Sequence, residues 1–420
     1  MVDMLPKLTF GPMSADWQER INMDRMRQYR EARARAVMRK YEVAVLLEGT
    51  PGNLRYLTST RGFEMPGCRY CLFFAEGDTI MYEHSGWYHQ MPDQAPWIKE
   101  WRPGRSWLAG SPGLDAIADE TKAYANDIKV ELEKRGLLKE RIGVGGLDGF
   151  ARQALIEAGV TNLVDNRNML LEARSVKNQD EIDCFRILSA MVDGMWWKVW
   201  ENAKPGLRDN QLGAIAVAAG YEAGAEFAVP GGWRSGPMTF DRGFQTSSRI
   251  LQFGDLLYGS LCGVTYLGYG SCTYRSFIIG RKPTEREKDW YKQLMDVVDG
   301  VISEIKVGNT TADAAKHFPP ASSWGYDEEV EVLCSEIGHG IGLGGRGGYD
   351  MPIINRQWSF DHPQEFQEGM VIAVESRQGV QRVGGVRIED MVVVTKDGPQ
   401  LLDNFPRDEL LIAPLALYGG

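Results

Sequence analysis

Hydrophobic spacing divides the chain into stretches of helical period and short apolar runs. Residues 23–41 carry apolar positions at helical spacing, and "VAVLLEG" (Val43–Gly49) is the uninterrupted run of a short buried strand. "LRYLTST", "YCLFFAEGD" and "TIMYEH" follow, a strand series broken by Gly and Asp. Residues 115–137 return to the helical period, "RIGVGGLDG" predicts a strand and turn, and residues 150–158 predict another helix. Strands alternating with helices predict an α/β domain over residues 1–172.

The pattern changes at "LEARSVKNQDEIDCFR", where Asn178 and Glu181 have the spacing of a capping box. Ile182, Phe185, Leu188, Val192, Met195 and Val199 then recur at helical spacing until Lys204–Gly206, "KPG", stops the helix. A second helix is predicted over residues 209–222. "GDLLYGSLCGVTYLGYGSCTYRSF" (Gly254–Phe277) predicts a hairpin, with strand-forming Val264, Tyr266, Tyr269, Tyr274 and Phe277 around a reversal at Tyr266-Leu267-Gly268. Thr284 and Glu287 cap a further long helix, and "EIGHGIGLGG", "GMVIAVESRQG" and "GGVRIEDMVVVTKDG" complete the chain. Helix, helix, hairpin, twice over, predicts a duplicated unit across residues 173–420 without a visible sequence repeat. The fold class is α+β, in two domains.

Composition narrows the partners. The chain has 420 residues and a formal net charge of -10, which disfavours nucleic acid or an anionic membrane. The basic run "DRMRQYREARARAVMRK" is interrupted by glutamate at helical spacing and reads as a solvated helix face. No stretch approaches the ~20 apolar residues of a membrane span, and "MVDMLPKLTF" lacks a signal-peptide core, so a cytoplasmic location is expected. Six cysteines in this length are no disulfide framework. "CRYC" (Cys68, Cys71) stands alone among strand-like residues and reads as buried thiols before a redox or zinc motif.

"RSVKNQDEI", "GHGIG" (Gly338–Gly342), "EGMVIAVES" (Glu368–Ser376) and "RIED" (Arg387–Asp390) together resemble the pita-bread family of methionine aminopeptidase, aminopeptidase P, prolidase and creatinase. The resemblance covers nearly the whole chain and implies a creatinase-like N-terminal domain and a pita-bread catalytic domain. It implies five metal-binding side chains, of which His339, Glu375 and Glu389 match three. The two aspartates fall at Ser260 and Cys272. "DRMRQYR", "LRYLTST", "SGPMTFDRGFQTSSRILQFGD" and "NFPRDELL" further resemble the dimethylsulfoniopropionate lyase branch, although Gly344 and Gly345 stand where that branch has an aspartate base.

That departure sets the expected chemistry. Ser260 cannot chelate a hard divalent ion, so one metal position is lost. Cys272 leaves two outcomes: no metal, as in creatinase, or a single Zn²⁺ held by Cys272, His339, Glu375 and Glu389. Peptidase activity is disfavoured because the second histidine of aminopeptidase P and prolidase is replaced by Arg346, and no histidine lies between Pro237 and Gly254. Glu375 and Glu389 at close range share a proton and supply a general acid and base. His339 is the alternative base and Cys272 the candidate nucleophile. An acidic cavity suits a cationic or zwitterionic small molecule. Trp233 is a candidate aromatic contact to such a cation, though core packing competes with that reading. Arg346 or Arg234 is a candidate for a substrate carboxylate. Ser260 and Tyr274 flank the same hairpin and complete the substrate-binding candidates. The expected function is a small-molecule lyase or hydrolase acting as a homodimer. A divergent Xaa-Pro metallopeptidase and a non-catalytic binding protein are the alternatives.

Overall fold

The computed structural model describes residues 21–62, 69–241, 245–343 and 349–414. Cys68, Gly344, Gly345 and Arg346 lie outside these residues.

The first domain comprises α1 (Met23–Lys40), β1 (Val45–Glu48), α2 (Pro51–Thr58), β2 (Tyr70–Phe74), β3 (Ile80–His84), α3 (Met91–Gln94), β4 (Glu100–Gly104), α4 (Leu114–Lys134), β5 (Ile142–Gly145), α5 (Gly149–Glu157), β6 (Leu163–Asp165) and α6 (Arg167–Ser175). Its sheet runs β4-β3-β2-β1-β5-β6, with β1 parallel to β5 and antiparallel to β2. Val45 and Leu47 pack with Tyr124 and Ile128 of α4 on one face. Most of the apolar runs form the strands that their pattern predicts. "LRYLTST" does not: it lies in and just after α2, which starts at Pro51. Pro is favourable in a first helical turn, and Leu54, Leu57 and Thr58 are buried at helical spacing. Alternating Leu54, Tyr56 and Thr58 fit a strand period equally well over so few residues.

The second domain comprises α7 (Gln179–Asn202), α8 (Asp209–Glu222), β7 (Gly232–Ser235), β8 (Leu256–Ser260), β9 (Thr265–Tyr266), β10 (Tyr269–Gly270), β11 (Tyr274–Ile279), α9 (Glu285–Glu304), α10 (Thr311–Ala315), β12 (Ile337–Gly340), β13 (Asp350–Ile354), β14 (Val371–Val380), β15 (Gly384–Thr395), β16 (Gly398–Leu401) and β17 (Leu411–Ala413). Seven strands lie in the order β13-β12-β14-β15-β11-β8-β7, with β16 on β15 and β17 on β11. Leu294 and Val298 of α9 pack on Val374 and Ile388. Phe185 and Trp196 of α7 pack on the hairpin side with Tyr269 and Phe277. Both capping boxes form: the Asn178 side chain accepts from Glu181 N at 3.0 Å, and the Thr284 side chain accepts from Glu287 N at 3.3 Å. Each satisfies backbone donors left over at a helix start.

The two domains share buried contacts. Arg30 of α1 pairs with Glu181 of α7 at 3.2 Å, and Tyr269 donates to the same carboxylate at 2.6 Å. Arg55 of α2 meets Glu226 at 2.9 Å, and Glu226 in turn accepts from Gly268 N at 2.7 Å. The tip of the hairpin is thereby tied to the first domain. Among the described residues, no helix is long and apolar enough to cross a membrane.

Candidate functional site

Strand register brings the predicted residues together. In the hairpin Tyr274 lies opposite Ser260, and on its other side Tyr274 lies opposite Glu389. Glu389 is opposite Glu375, and Glu375 is opposite Ile337, two residues before His339. Residues two apart on a strand share a face, so β12, β14, β15 and the hairpin present His339, Glu375, Glu389 and Tyr274 to one region.

The hairpin adds a residue that the sequence reading misses. Leu261 N donates to Thr273 O at 2.9 Å and Gly263 N donates to Ser271 O at 2.8 Å. Between these two bonds Cys262 faces Cys272. The two sulfurs and a Glu389 oxygen all lie within 4.8 Å of one another. Cys262 Sγ is 3.3 Å from Glu389 Oε2, and His339 Nε2 is 3.4 Å from Glu389 Oε1. Cys272 is 6%, His339 1%, Glu375 1% and Glu389 0% exposed, and Cys262 is half-buried, so the cluster is enclosed except on the Cys262 side. The signal for Cys262 was present: stepping two residues along each strand from the Ser260–Tyr274 pair lands on Cys262 and Cys272.

Tautomer geometry sharpens the electrostatics. His339 Nδ1 lies 3.1 Å from the Gly340 carbonyl, which can only accept, so Nδ1 carries the proton. In a neutral ring Nε2 then presents its lone pair to Glu389 Oε1. Two acceptors facing each other require a proton or a cation between them. Burial pushes the Cys262 thiol up to about 12. Cys272 is held well above the ordinary thiol range, first by its hydrogen bond to the Cys262 sulfur and then by burial. Without a cation both sulfurs are neutral thiols, and Cys272 is no nucleophile.

The remaining candidates divide. Ser260 Oγ accepts from Gly232 N at 3.1 Å, so its oxygen is engaged within the sheet. Tyr274 is buried, its ring edge-on to Tyr258 at 5.5 Å, and burial raises its hydroxyl well above the ordinary range. Trp233 is corrected. It sits in β7 opposite Gly259, and its neighbour Gly232 pairs with Ser260, so alternation sends the indole to the other face. There it is fully buried, donates to Pro230 O at 2.6 Å and lies edge-on to Trp196 at 5.7 Å. A ring in that core cannot cage a ligand at the cluster. Arg234 is half-buried on β7 opposite Tyr258. His84, His89, His317 and His362 are exposed or half-buried and join no donor cluster among the described residues.

The donor set decides which ions fit. The family's pair of hard divalent ions needs bridging carboxylates. Here one position is a hydrogen-bonded serine and the other a cysteine beside a second cysteine, so two hard ions do not fit. Two sulfurs and a carboxylate oxygen are donors that suit zinc, with one tetrahedral position left open. The expected ligand set therefore gains Cys262. Glu375 shares the Glu389 rung and His339 meets Glu389 Oε1, but both are absent from the compact donor group.

Comparison with known proteins gives an independent view. The model for metallopeptidase family M24 matches residues 183–396. The Xaa-Pro dipeptidase of Pyrococcus horikoshii is 25% identical, over 62% of this chain and 71% of that protein. The dimethylsulfoniopropionate lyase of Roseobacter denitrificans is 24% identical, over 92% of this chain and 87% of that protein. Among solved structures, an Xaa-Pro dipeptidase from Bacillus anthracis superposes with a TM-score of 0.74 at 19% identity, covering 92% of this chain and 99% of its own.

Proposed function

Because the chain belongs to metallopeptidase family M24, yet carries serine and cysteine where the family resemblance implies metal-binding aspartates, we propose that it is a small-molecule lyase or C–N hydrolase rather than a peptidase. Its substrate is a cationic or zwitterionic metabolite. The observation that carries this reading is the Cys262–Cys272–Glu389 donor group, with His339 against Glu389, a softer set of ligands than a hard two-metal site needs. The match to the dimethylsulfoniopropionate lyase across nearly the whole chain supports it.

Cys262, Cys272 and Glu389 would hold a single Zn²⁺ and leave its fourth position open. Such an ion supplies a Lewis acid and acidifies a bound water. The protein's own groups do the rest. Glu375 and Glu389 form a buried anionic rung whose charge favours a cationic substrate group. Glu389, between the imidazole and the Cys262 thiol, is placed to accept a substrate or water proton. His339, fixed by its bond to Gly340 O, is placed to return it. A homodimer in the cytoplasm belongs to the same reading.

A divergent Xaa-Pro metallopeptidase is the competing reading, favoured by the identity to Xaa-Pro dipeptidase. A binding protein on the same scaffold is the other. The test is metal content of the purified protein together with turnover of sulfonium acids, betaines, guanidino acids, cyclic amidines and Xaa-Pro dipeptides. Turnover of a small cationic or zwitterionic compound with at most one zinc per chain is the expected result. Cleavage of Xaa-Pro dipeptides with two manganese ions per chain would establish the peptidase instead. No turnover, with ligand affinity indifferent to Glu375→Gln and His339→Ala, would establish the binding protein.

A further inference from the structure

Two arginines occupy the next rung of the strand pair that carries the glutamates. Glu375 lies opposite Glu389, and two residues further along Arg377 lies opposite Arg387. Side chains two apart on a strand share a face and are spaced by about 7 Å. One face of β14 and β15 therefore presents a carboxylate pair and then a guanidinium pair.

The arginine pair is buried: Arg387 is 0% and Arg377 7% exposed. Arg387 Nε and Nη1 and Arg377 Nε are buried without a hydrogen-bond partner among the described residues. The contacts they do make are to neutral groups. Arg387 Nη2 donates to the Phe240 carbonyl at 3.2 Å, and its guanidinium lies 5.5 Å from the Tyr258 ring centre. Arg377 lies over the rings of Phe240 at 4.3 Å and Trp324 at 5.5 Å, with the Tyr326 hydroxyl beside it. The neighbouring carboxyl, Glu336, accepts from Ser376 Oγ at 2.6 Å. Burial pushes Glu336 up to about 8, so at neutral pH it is largely an acid rather than a counter-ion. Two adjacent buried cations with orphaned N–H groups are costly unless an anion joins them. Planar forks on an aromatic floor suit a carboxylate, which each can take through paired N–H···O bonds.

We propose that Arg377 and Arg387 form a carboxylate subsite, holding the acid end of the substrate while its cationic or reacting end lies at the Glu375–Glu389 rung. The spacing of the two rungs selects short-chain acids in which a few carbons separate the carboxylate from the cationic centre. The proposal rests on the reading of the cluster as a site for cationic or zwitterionic small molecules. It assigns roles to two residues that the sequence reading left aside in favour of Arg234 and Arg346.

Calorimetric titration separates the two readings. The probes are glycine betaine, 3-(trimethylammonio)propionate, 4-(trimethylammonio)butyrate, choline and propionate, against the full-length protein and its Arg377→Gln and Arg377→Lys variants. At least one betaine is expected to bind on the order of tenfold more tightly than choline. Arg377→Gln should remove that difference by weakening the betaine, with Arg377→Lys restoring it only in part. If Arg377→Gln does not fold, the folded wild-type protein decides, by its preference for the best betaine over the same compound with a carboxamide in place of the acid. Betaines and choline binding alike would overturn the subsite and leave the cationic reading intact. A betaine preference that survives in Arg377→Gln would do the same. Propionate binding that depends on Arg377, without binding of any cation, would uphold the subsite and overturn the zwitterionic reading. Binding of none of the probes would overturn both.

Discussion

Cys272 stands where the family resemblance implies a hard ligand and Cys262 faces it across the hairpin, and a thiol pair of this kind makes a direct prediction. The purified protein is expected to take up one equivalent of Zn²⁺ and to prefer it to Mn²⁺, as read by competition with a chromophoric chelator. Cys262→Ser should weaken that binding by at least about 100-fold, because losing even an outer partner of a metal ligand costs 10–100-fold. An unchanged zinc affinity in Cys262→Ser would remove it from the ligand set. Glu389 tests the metal and the chemistry together, so its variant is read for zinc affinity as well as rate. It touches both the Cys262 sulfur and His339, so Glu389→Gln should lower kcat by about 10²–10⁴ once a substrate is in hand, with thermal unfolding showing that the fold is kept. His339, Glu375 and Glu389 were legible because each stands in a short motif. Cys262 was not, because it stands at neither of the two positions where the resemblance implies aspartate. Arg377 and Arg387 also went unread. A charged residue inside a strand looks solvent-facing until the register puts it on the buried face.

The hairpin is the element on which the site depends. Its reversal places Leu267 at φ 47° and Gly268 at φ 85°, a left-handed pair of the kind that joins tightly turned strands. Gly268 has a second constraint, since a Cβ there would lie 2.6 Å from Arg55 Nε and 2.7 Å from Leu343 Cδ2. Its N–H also donates to Glu226, which Arg55 holds. Gly268→Ala is therefore expected to destabilise the protein by at least ~1 kcal/mol, measured from the urea midpoint, and to weaken zinc binding through the displaced sulfurs. A variant as stable as the parent would show that the turn relaxes freely. This reversal and both capping boxes were readable from local rules, because caps and tight turns are settled by adjacent residues. The helix α2 was not. Its burial comes from α1, α6 and the second domain, and eight residues are too few for a period to be decided from sequence.

Across the whole molecule, buried acids govern how stability responds to pH. Asp403 accepts from Met391 N at 2.8 Å in the fully buried region around Arg275 and Asp390. Burial pushes its carboxyl up to about 8, against the pull of Arg275. Glu336 is pushed up to about 8 for the same reason, and burial shifts Glu48, Asp193 and Asp209 in the same sense. Each of these acids holds its proton more tightly in the folded chain than in the unfolded one. Its contribution to stability is complete below the ordinary carboxylate range and is lost as pH rises through the folded value. For Asp403 and Glu336 the window runs from about 4 to about 8. Carboxylates shifted the other way, such as Glu172 and Asp313, act below about 4.5 and so fall outside most of it. Lys177 is buried and lowered to about 8, so its effect is opposite and later: stability recovers from about 8 toward the ordinary lysine value of 10.5. The melting temperature of the metal-free protein is therefore expected to fall from about pH 5 to about pH 8, and above about 9 the buried thiols raised from that value, such as Cys184 and Cys262, oppose the recovery from Lys177. Asp403→Asn keeps an acceptor for Met391 N but has no proton to lose, so it should flatten part of that fall. A melting temperature that climbs steadily between pH 5 and pH 8, or an Asp403→Asn profile parallel to the parent, would mean that these acids are ionised in the folded protein and paired with the neighbouring arginines.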